Sequence, residues 1–211
     1  MKVLSIQVGQ PKIILYNNRE VKTSIFKEAV NGLVKVKKLG LEGDTQSDLT
    51  VHGGQFKAVY AYPAEHFEYW NSIAPQHEFE NGAFGENLTT TGLLETEVSI
   101  GDVYQIGSVV IKVTQPRFPC FKLGVKYDDN QMIKLFHDSL KSGIYFEVLE
   151  EGEFCAGDDI KSITKSGGMA IHDFTVAKNS NGSEVELIKR LITDPHLMDE
   201  WKEYFEGKLR A

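Results

Sequence analysis

The amino-acid sequence predicts a mainly β domain with short helices, followed by a small helical appendage. Two patterns and one compositional balance carry that prediction. Short apolar or alternating runs, each of strand length, recur from Val3 to Ile163 between turns rich in Gly, Asn and Pro. After Ile163 the composition shifts to Lys165-Ser166-Gly167-Gly168, which reads as a linker, and then to apolar residues at helical spacing. With 41% hydrophobic and 25% charged residues, a chain of 211 residues can bury a sizeable core without staples. The expected division is a β domain over 1–163 and a helical extension over 164–211.

Taken in order, Val3 to Val8 is expected as a first strand, stopped by Gly9-Gln10-Pro11. Ile13 to Tyr16 is a second, ending at an Asn17-Asn18 turn, and Thr23-Ser24-Ile25 begins another extended piece. Leu33 to Leu39 alternates apolar with basic residues, the pattern of a strand with one face buried and Lys35 and Lys37 outward. Ala58 to Tyr62 is a strand, and Pro63 opens a helix through Ile73 with Phe67 and Trp70 on one face and His66 on its surface. Val98 to Gly107 turns at Gly101-Asp102, and Val109 to Thr114 is a strand. Met132 to Leu140 has helical spacing and Ile144 to Leu149 strand spacing. In the extension, Ser183 with Glu186 fits a capping box ahead of Val185, Ile188, Leu191 and Ile192. Thr193-Asp194-Pro195 is expected to start a last helix, with Leu197, Trp201, Tyr204 and Phe205 as its buried side.

Charge narrows the function classes. A formal net charge of -7 argues against bulk nucleic-acid binding, which needs a basic footprint, but leaves room for a local cationic pocket. No apolar run is long enough for a signal peptide or a membrane span, so a cytoplasmic protein is expected. The only cysteines, Cys120 and Cys155, have the spacing of neither a zinc site nor a disulfide framework.

The chemistry concentrates at Gln115-Pro116-Arg117-Phe118-Pro119-Cys120-Phe121-Lys122-Leu123. Two closely spaced prolines are expected to take the chain off the sheet into a stiff loop. A thiol held there beside Arg117 and Lys122 is favoured as thiolate, the form that attacks sulfur or binds a soft metal. The alternative is a half-buried cysteine that fills the loop. Cys155 is followed by Asp158 and Asp159, lacks that cationic setting and reads as structural.

His52-Gly53-Gly54 with Lys57 leads into a strand, which suits a loop that cradles an anion, or an ordinary hairpin turn. The stretch Asn81-Gly82-Ala83-Phe84-Gly85-Glu86-Asn87-Leu88 carries many backbone donors, for a ligand or for a tight connection.

Several segments, in order, resemble one family. They are T-S-I-F-K, G-L-E-G-D-T-Q-S-D, H-G-G-Q-F-K-A-V-Y-A-Y-P, F-G-E-N-L-T-T-T-G, G-D-V-Y-Q-I-G, Q-P-R-F-P-C-F-K-L and S-G-I-Y-F-E-V-L. Together they resemble the MOSC domain, and within it the stand-alone bacterial YiiM-like branch with its C-terminal three-helix extension. The resemblance implies a distorted β-barrel decorated by short helices. It also implies the molybdenum cofactor, a molybdopterin, with Cys120 as reactive thiolate or metal ligand. The relatives in this branch are associated with reduction of N-hydroxylated compounds, including hydroxylamino base analogues. For the cofactor's phosphate, Lys57 and Arg117 are the expected cations, with His52, Glu86 and Asn87 as hydrogen-bonding residues. No iron–sulfur, flavin or haem motif is visible, so a separate electron-donor protein is expected, alongside a small N-hydroxylated substrate and no membrane. Two rival readings are a sulfur carrier with a persulfide on Cys120 and a cofactor carrier without turnover.

Overall fold

The computed structural model describes residues 1–47 and 53–210. The strands are β1 (Lys2–Val8), β2 (Lys12–Tyr16), β3 (Arg19–Thr23), β4 (Glu28–Val30), β5 (Val34–Lys37), β6 (Gly40–Leu41) and β7 (Val59–Pro63). They continue with β8 (Leu88–Thr91), β9 (Val103–Ile106), β10 (Val109–Pro116), β11 (Ile144–Glu150), β12 (Gly152–Phe154) and β13 (Ile160–Thr164). The helices are α1 (Phe67–Ile73), α2 (Phe121–Tyr127), α3 (Gln131–Ser139), α4 (Ile171–Asn179), α5 (Val185–Ile192) and α6 (Asp199–Arg210). Among the described residues none is long and apolar enough to cross a membrane.

Alternation explains the strands. β5 buries Val34 and Val36 and exposes Lys35 and Lys37, as the sequence pattern requires. β1 buries Val3 and Ile6, and a bulge between Val3 and Ser5 against β8 accounts for its looser alternation.

Eight strands form the main sheet in the order β13-β9-β10-β11-β7-β8-β1-β4, with β7–β8 its parallel pair. The sheet curls until its far parts meet: Val3 N–H donates to Asp158 O, Gly157 N–H to Val3 O and Ile160 N–H to Met1 O. No continuous ladder among the described residues joins β13 to β4, so the expected barrel is a curled, open sheet. Two small sheets, β12-β5-β6 and the β2-β3 hairpin, complete the β structure.

One apolar cluster holds the inner face of the sheet, including Ile6, Val59, Ile111 and Phe146. The same cluster takes in Phe174, Ile188, Leu191 and Phe205 from the C-terminal helices, so the stripe of the extension packs on the sheet's core. A second cluster joins Tyr62, Trp70, Phe84, Leu123 and Phe136 beneath α1, α2 and α3, and Trp70 Nε1 donates to the Tyr62 hydroxyl at 2.6 Å.

Several local expectations are corrected. Pro63 ends β7, and a 3₁₀ turn over Ala64–His66 precedes α1. The tighter turn rotates His66 inward, where its Nε2 lies 2.7 Å from Glu95 Oε2. The predicted capping box does not form: α5 begins one residue after Glu184, and the Ser183 hydroxyl instead donates to Ser180 O. Asp194 and Pro195 precede the last helix, which starts at Asp199; the Asp194 carboxylate accepts from Met169 N–H and His196 N–H instead. The predicted linker is pinned, because Lys165 Nζ and Ser166 N–H both bond the buried Asp102 carboxylate at 2.9 and 2.8 Å.

Candidate functional site

β10 delivers the cysteine segment. A register shift between Val113 and Gln115 bends it, and Pro116 still pairs with Ile144 at the ladder's end, where a missing donor costs least. The expected loop is therefore only Arg117–Cys120, because α2 begins at Phe121 with Cys120 as its N-cap residue. Phe118 anchors this loop against Phe174 and Trp201, with ring centroids 6.3 and 5.5 Å away. Trp201 Nε1 donates to Gln115 Oε1 at 2.7 Å, so α6 buttresses the strand that carries the thiol.

The half-buried Cys120 opens on a cleft whose walls also carry Arg117, Lys122, Lys57, Lys27 and Tyr145. Arg117 is 6% exposed; its guanidinium lies 4.6 Å from the Phe136 ring centre and 5.6 Å from that of Tyr60. Its Nη1 is buried and has no hydrogen-bond partner among the described residues. An unsatisfied buried guanidinium nitrogen is costly unless a ligand completes it.

Opposite, Lys27 Nζ lies 2.5 Å from Asp44 Oδ1 in a nearly buried pair. Burial lowers the Lys27 pKa, with the Asp44 carboxylate opposing that shift. Asp44 also accepts from Gly9 N–H and from Asn87 Nδ2, at 2.6 and 2.7 Å. Ser24 and Ser47 hydroxyls, 2.5 Å apart, complete this polar wall.

The structure brings Cys120, Arg117, Lys57 and Asn87 to one cleft. Asn87 spends its side chain on the protein: Oδ1 accepts from Tyr60 N–H, and Nδ2 serves Gln7 O and Asp44. Glu86 lies behind the wall, fully buried, and accepts from Gly82 N–H, Phe84 N–H and the Thr89 hydroxyl. His52 falls outside the described residues. Lys27, Asp44 and Tyr145 were not singled out from sequence; the first two stood inside the T-S-I-F-K and G-L-E-G-D segments, with nothing local to mark them as a pair. Both cysteines are free, and a hydrogen bond to Asp158 pushes the Cys155 thiol up in pKa, away from a reactive thiolate.

Two predictions concern the loop behind the cleft. Glu86→Ala is expected to destabilise the cofactor-free protein by about 2–4 kcal/mol, since two backbone donors and a hydroxyl lose their acceptor. Denaturant titration checks this; stability unchanged with binding lost would make Glu86 a ligand-holding group instead.

Beside it, Lys126 Nζ donates to Gly82 O, and burial lowers its pKa to about 8 against the pull of Glu86. The folded state then sheds this proton at a lower pH than the unfolded chain, so stability rises as pH rises from about 8 towards 10.5. Relative to Lys126→Met, the wild type should gain on the order of 2 kcal/mol across that window. Parallel pH curves for the two proteins would contradict it.

A family model for the MOSC domain matches residues 48–161. The chain is 34% identical over 207 residues to "Uncharacterized protein YflK" of Bacillus subtilis, covering 98% of this chain and 93% of that protein. It is 33% identical over 149 residues to a protein named "Reductase" from Gibberella moniliformis, covering 69% of this chain but 26% of that protein. The crystal structure of YiiM from Geobacillus stearothermophilus superposes with a TM-score of 0.81 at 33% identity, over 99% of this chain and 98% of that one.

Proposed function

The chain belongs to the MOSC domain family, and from that premise we propose that it holds the molybdenum cofactor in the Cys120 cleft and reduces N-hydroxylated compounds, such as hydroxylamino base analogues, to amines. One observation carries the reading: Arg117, in the wall of the cleft that presents Cys120, has a buried Nη1 with no hydrogen-bond partner among the described residues. A phosphate oxygen is the acceptor that such a nitrogen lacks, and a guanidinium grips phosphate through paired hydrogen bonds. Phe136 and Tyr60 hold the guanidinium in place, so little is lost in ordering it.

The residues fit the group. Arg117, with Lys57 on the same wall, would take the phosphate of the pterin, and the Cys120 thiolate would be a soft protein ligand for the metal. When bound, the cofactor supplies the redox chemistry of N–O cleavage. The chain itself supplies position and field. Tyr60, Phe84 and Tyr145 wall the cleft, and the Lys27–Asp44 pair fixes its far side. Glu86 and Asn87 shape the loop that carries this wall, and His52 is a further hydrogen-bonding candidate. The relative named a reductase supports the reductive direction. A separate electron-donor protein completes the reading, in a reducing cytoplasm where both thiols stay free.

The test is amine formation from a hydroxylamino purine by protein expressed in cells that make the cofactor, with reduced viologen as electron source. Cofactor-dependent amine formation is the expected result. Loaded protein that forms none contradicts the reductive part.

A further inference from the structure

We propose that Tyr145 donates the proton to the oxygen that departs when an N–OH bond is reduced in the Cys120 cleft, a role that rests on the reductive function proposed above. β11 places this residue between the two strands that build the site. Its backbone pairs with Gln115 of β10, the strand leading to Cys120, and with Tyr60 of β7. The ring leans on Tyr60 with centroids 5.0 Å apart, which fixes the side chain in the cleft wall.

The proton-bearing groups of the cleft differ in what they already hold. The Tyr60 hydroxyl is donated to Ser142 O at 2.9 Å. Lys27 is paired with Asp44, Ser24 with Ser47, and Lys57 and Lys122 each hold an interaction of their own. Tyr145 differs: its hydrogen bonding to described residues runs through its backbone, as where Thr114 Oγ1 lies 3.0 Å from its carbonyl oxygen. Its hydroxyl bonds no described residue, in a cleft shared with Cys120 and Arg117.

The electrostatics suit donation. Burial raises the Tyr145 pKa, so the proton is held at neutral pH; Arg117 opposes that shift and would stabilise the phenolate left behind.

The step balances as follows. The N–O bond breaks, and oxygen leaves with its bonding pair, takes the Tyr145 proton and departs as water. The two electrons that nitrogen gains come ultimately from two equivalents of the one-electron dye reductant, and its proton comes from solvent. Solvent then restores the phenol.

Tyr145→Phe keeps the ring and removes the acid. In cofactor-loaded protein with reduced viologen and a hydroxylamino purine, kcat should fall about 10²-fold or more, the range expected of a lost general acid. KM should stay within about threefold, and calorimetry on the oxidised loaded protein should give a Kd for the same compound within about threefold. Molybdenum and pterin content should equal that of the wild type. A kcat within about threefold of wild type overturns the role of Tyr145 and leaves the reductive reading standing. Loss of cofactor from Tyr145→Phe also overturns it, by making the hydroxyl a binding group. A loaded wild type that reduces nothing overturns the reductive reading, and this role with it.

Discussion

Cys120→Ser is expected to lose reduction of N-hydroxylated compounds while folding at least as stably as the wild type. The two halves of this expectation have separate causes. Cys120 stands at the N-cap of α2 with extended dihedrals, φ -134° and ψ 172°, and its side chain caps nothing. Serine is a favoured N-cap residue whose hydroxyl accepts from the first turn, so the exchange should add a few tenths of a kcal/mol or more to stability. A hydroxyl, however, is a hard, weakly acidic donor and a poor substitute for a soft thiolate at a transition metal. Even groups that only orient a metal's ligands cost 10–100-fold when removed, so replacing a ligand, the role proposed for Cys120, should cost more than about 10²-fold. Matched thermal melts and turnover assays separate the two effects. A variant that keeps near-normal turnover would remove Cys120 from the chemistry and restore the reading of a cysteine that fills its loop.

Arg117→Met has the second-largest expected effect, and it runs in opposite directions for binding and for folding. The guanidinium is 6% exposed, and its Nη1 lacks a partner among the described residues. Stacking on Phe136 and Tyr60 offsets part of the desolvation, by about 1–2 kcal/mol. Methionine of similar length would keep the contact with those rings and remove the buried charge. The cofactor-free variant should therefore be as stable as the wild type or slightly more so. Retention of a phosphate-bearing cofactor should fall about 10²-fold, as when one partner of a buried charged pair is truncated. Dialysis followed by pterin analysis, with denaturant titration of the cofactor-free forms, reads both. Lower cofactor-free stability with unchanged retention would make Arg117 a packing element.

Such opposed effects are expected where a site is built for a ligand rather than for the empty fold. Buried polar groups are ordinarily partnered, and of the two side-chain atoms without a partner among the described residues, Gln7 Oε1 and Arg117 Nη1, the second belongs to the residue that shares a cleft with the free thiol the sequence already marks.

Much of this was legible in the chain. Strand alternation at Val34–Lys37, the helical stripe ending at Phe205, and the concentration of Pro, Arg and Cys near Cys120 all follow from side-chain period and backbone restriction. What was illegible depended on angles smaller than a pattern can register. His66 is turned inward because a 3₁₀ turn precedes α1, a difference of less than one residue per turn. Pro116 stays in the ladder because it falls at the ladder's end, after a register shift that leaves no signature in composition. α2 begins directly after Cys120 although Phe121-Lys122-Leu123-Gly124 carries no capping residue; packing of Leu123 into the aromatic cluster overrides weak local preference.

The site was half legible for a related reason. Cys120 and Arg117 are sequence neighbours and could be read together. Lys27 and Asp44 meet where the loop before β4 lies against the loop after β6, and Tyr145 and Cys120 share a cleft because β11 lies beside β10. Glu86 is fully buried, yet its place in the F-G-E-N-L segment marked it as a hydrogen-bonding candidate for a ligand; three internal donors claim its carboxylate.

The central claim, that Cys120 and Arg117 frame a molybdenum-cofactor site, is tested most directly by metal and pterin analysis of wild type and Cys120→Ala. Both proteins are to be purified from cells that make the cofactor. Stoichiometric molybdenum and pterin in the wild type, with molybdenum lost in the variant, is the predicted result. A wild type carrying neither would contradict the claim, and a persulfide on Cys120 in that protein would establish the sulfur carrier in its place.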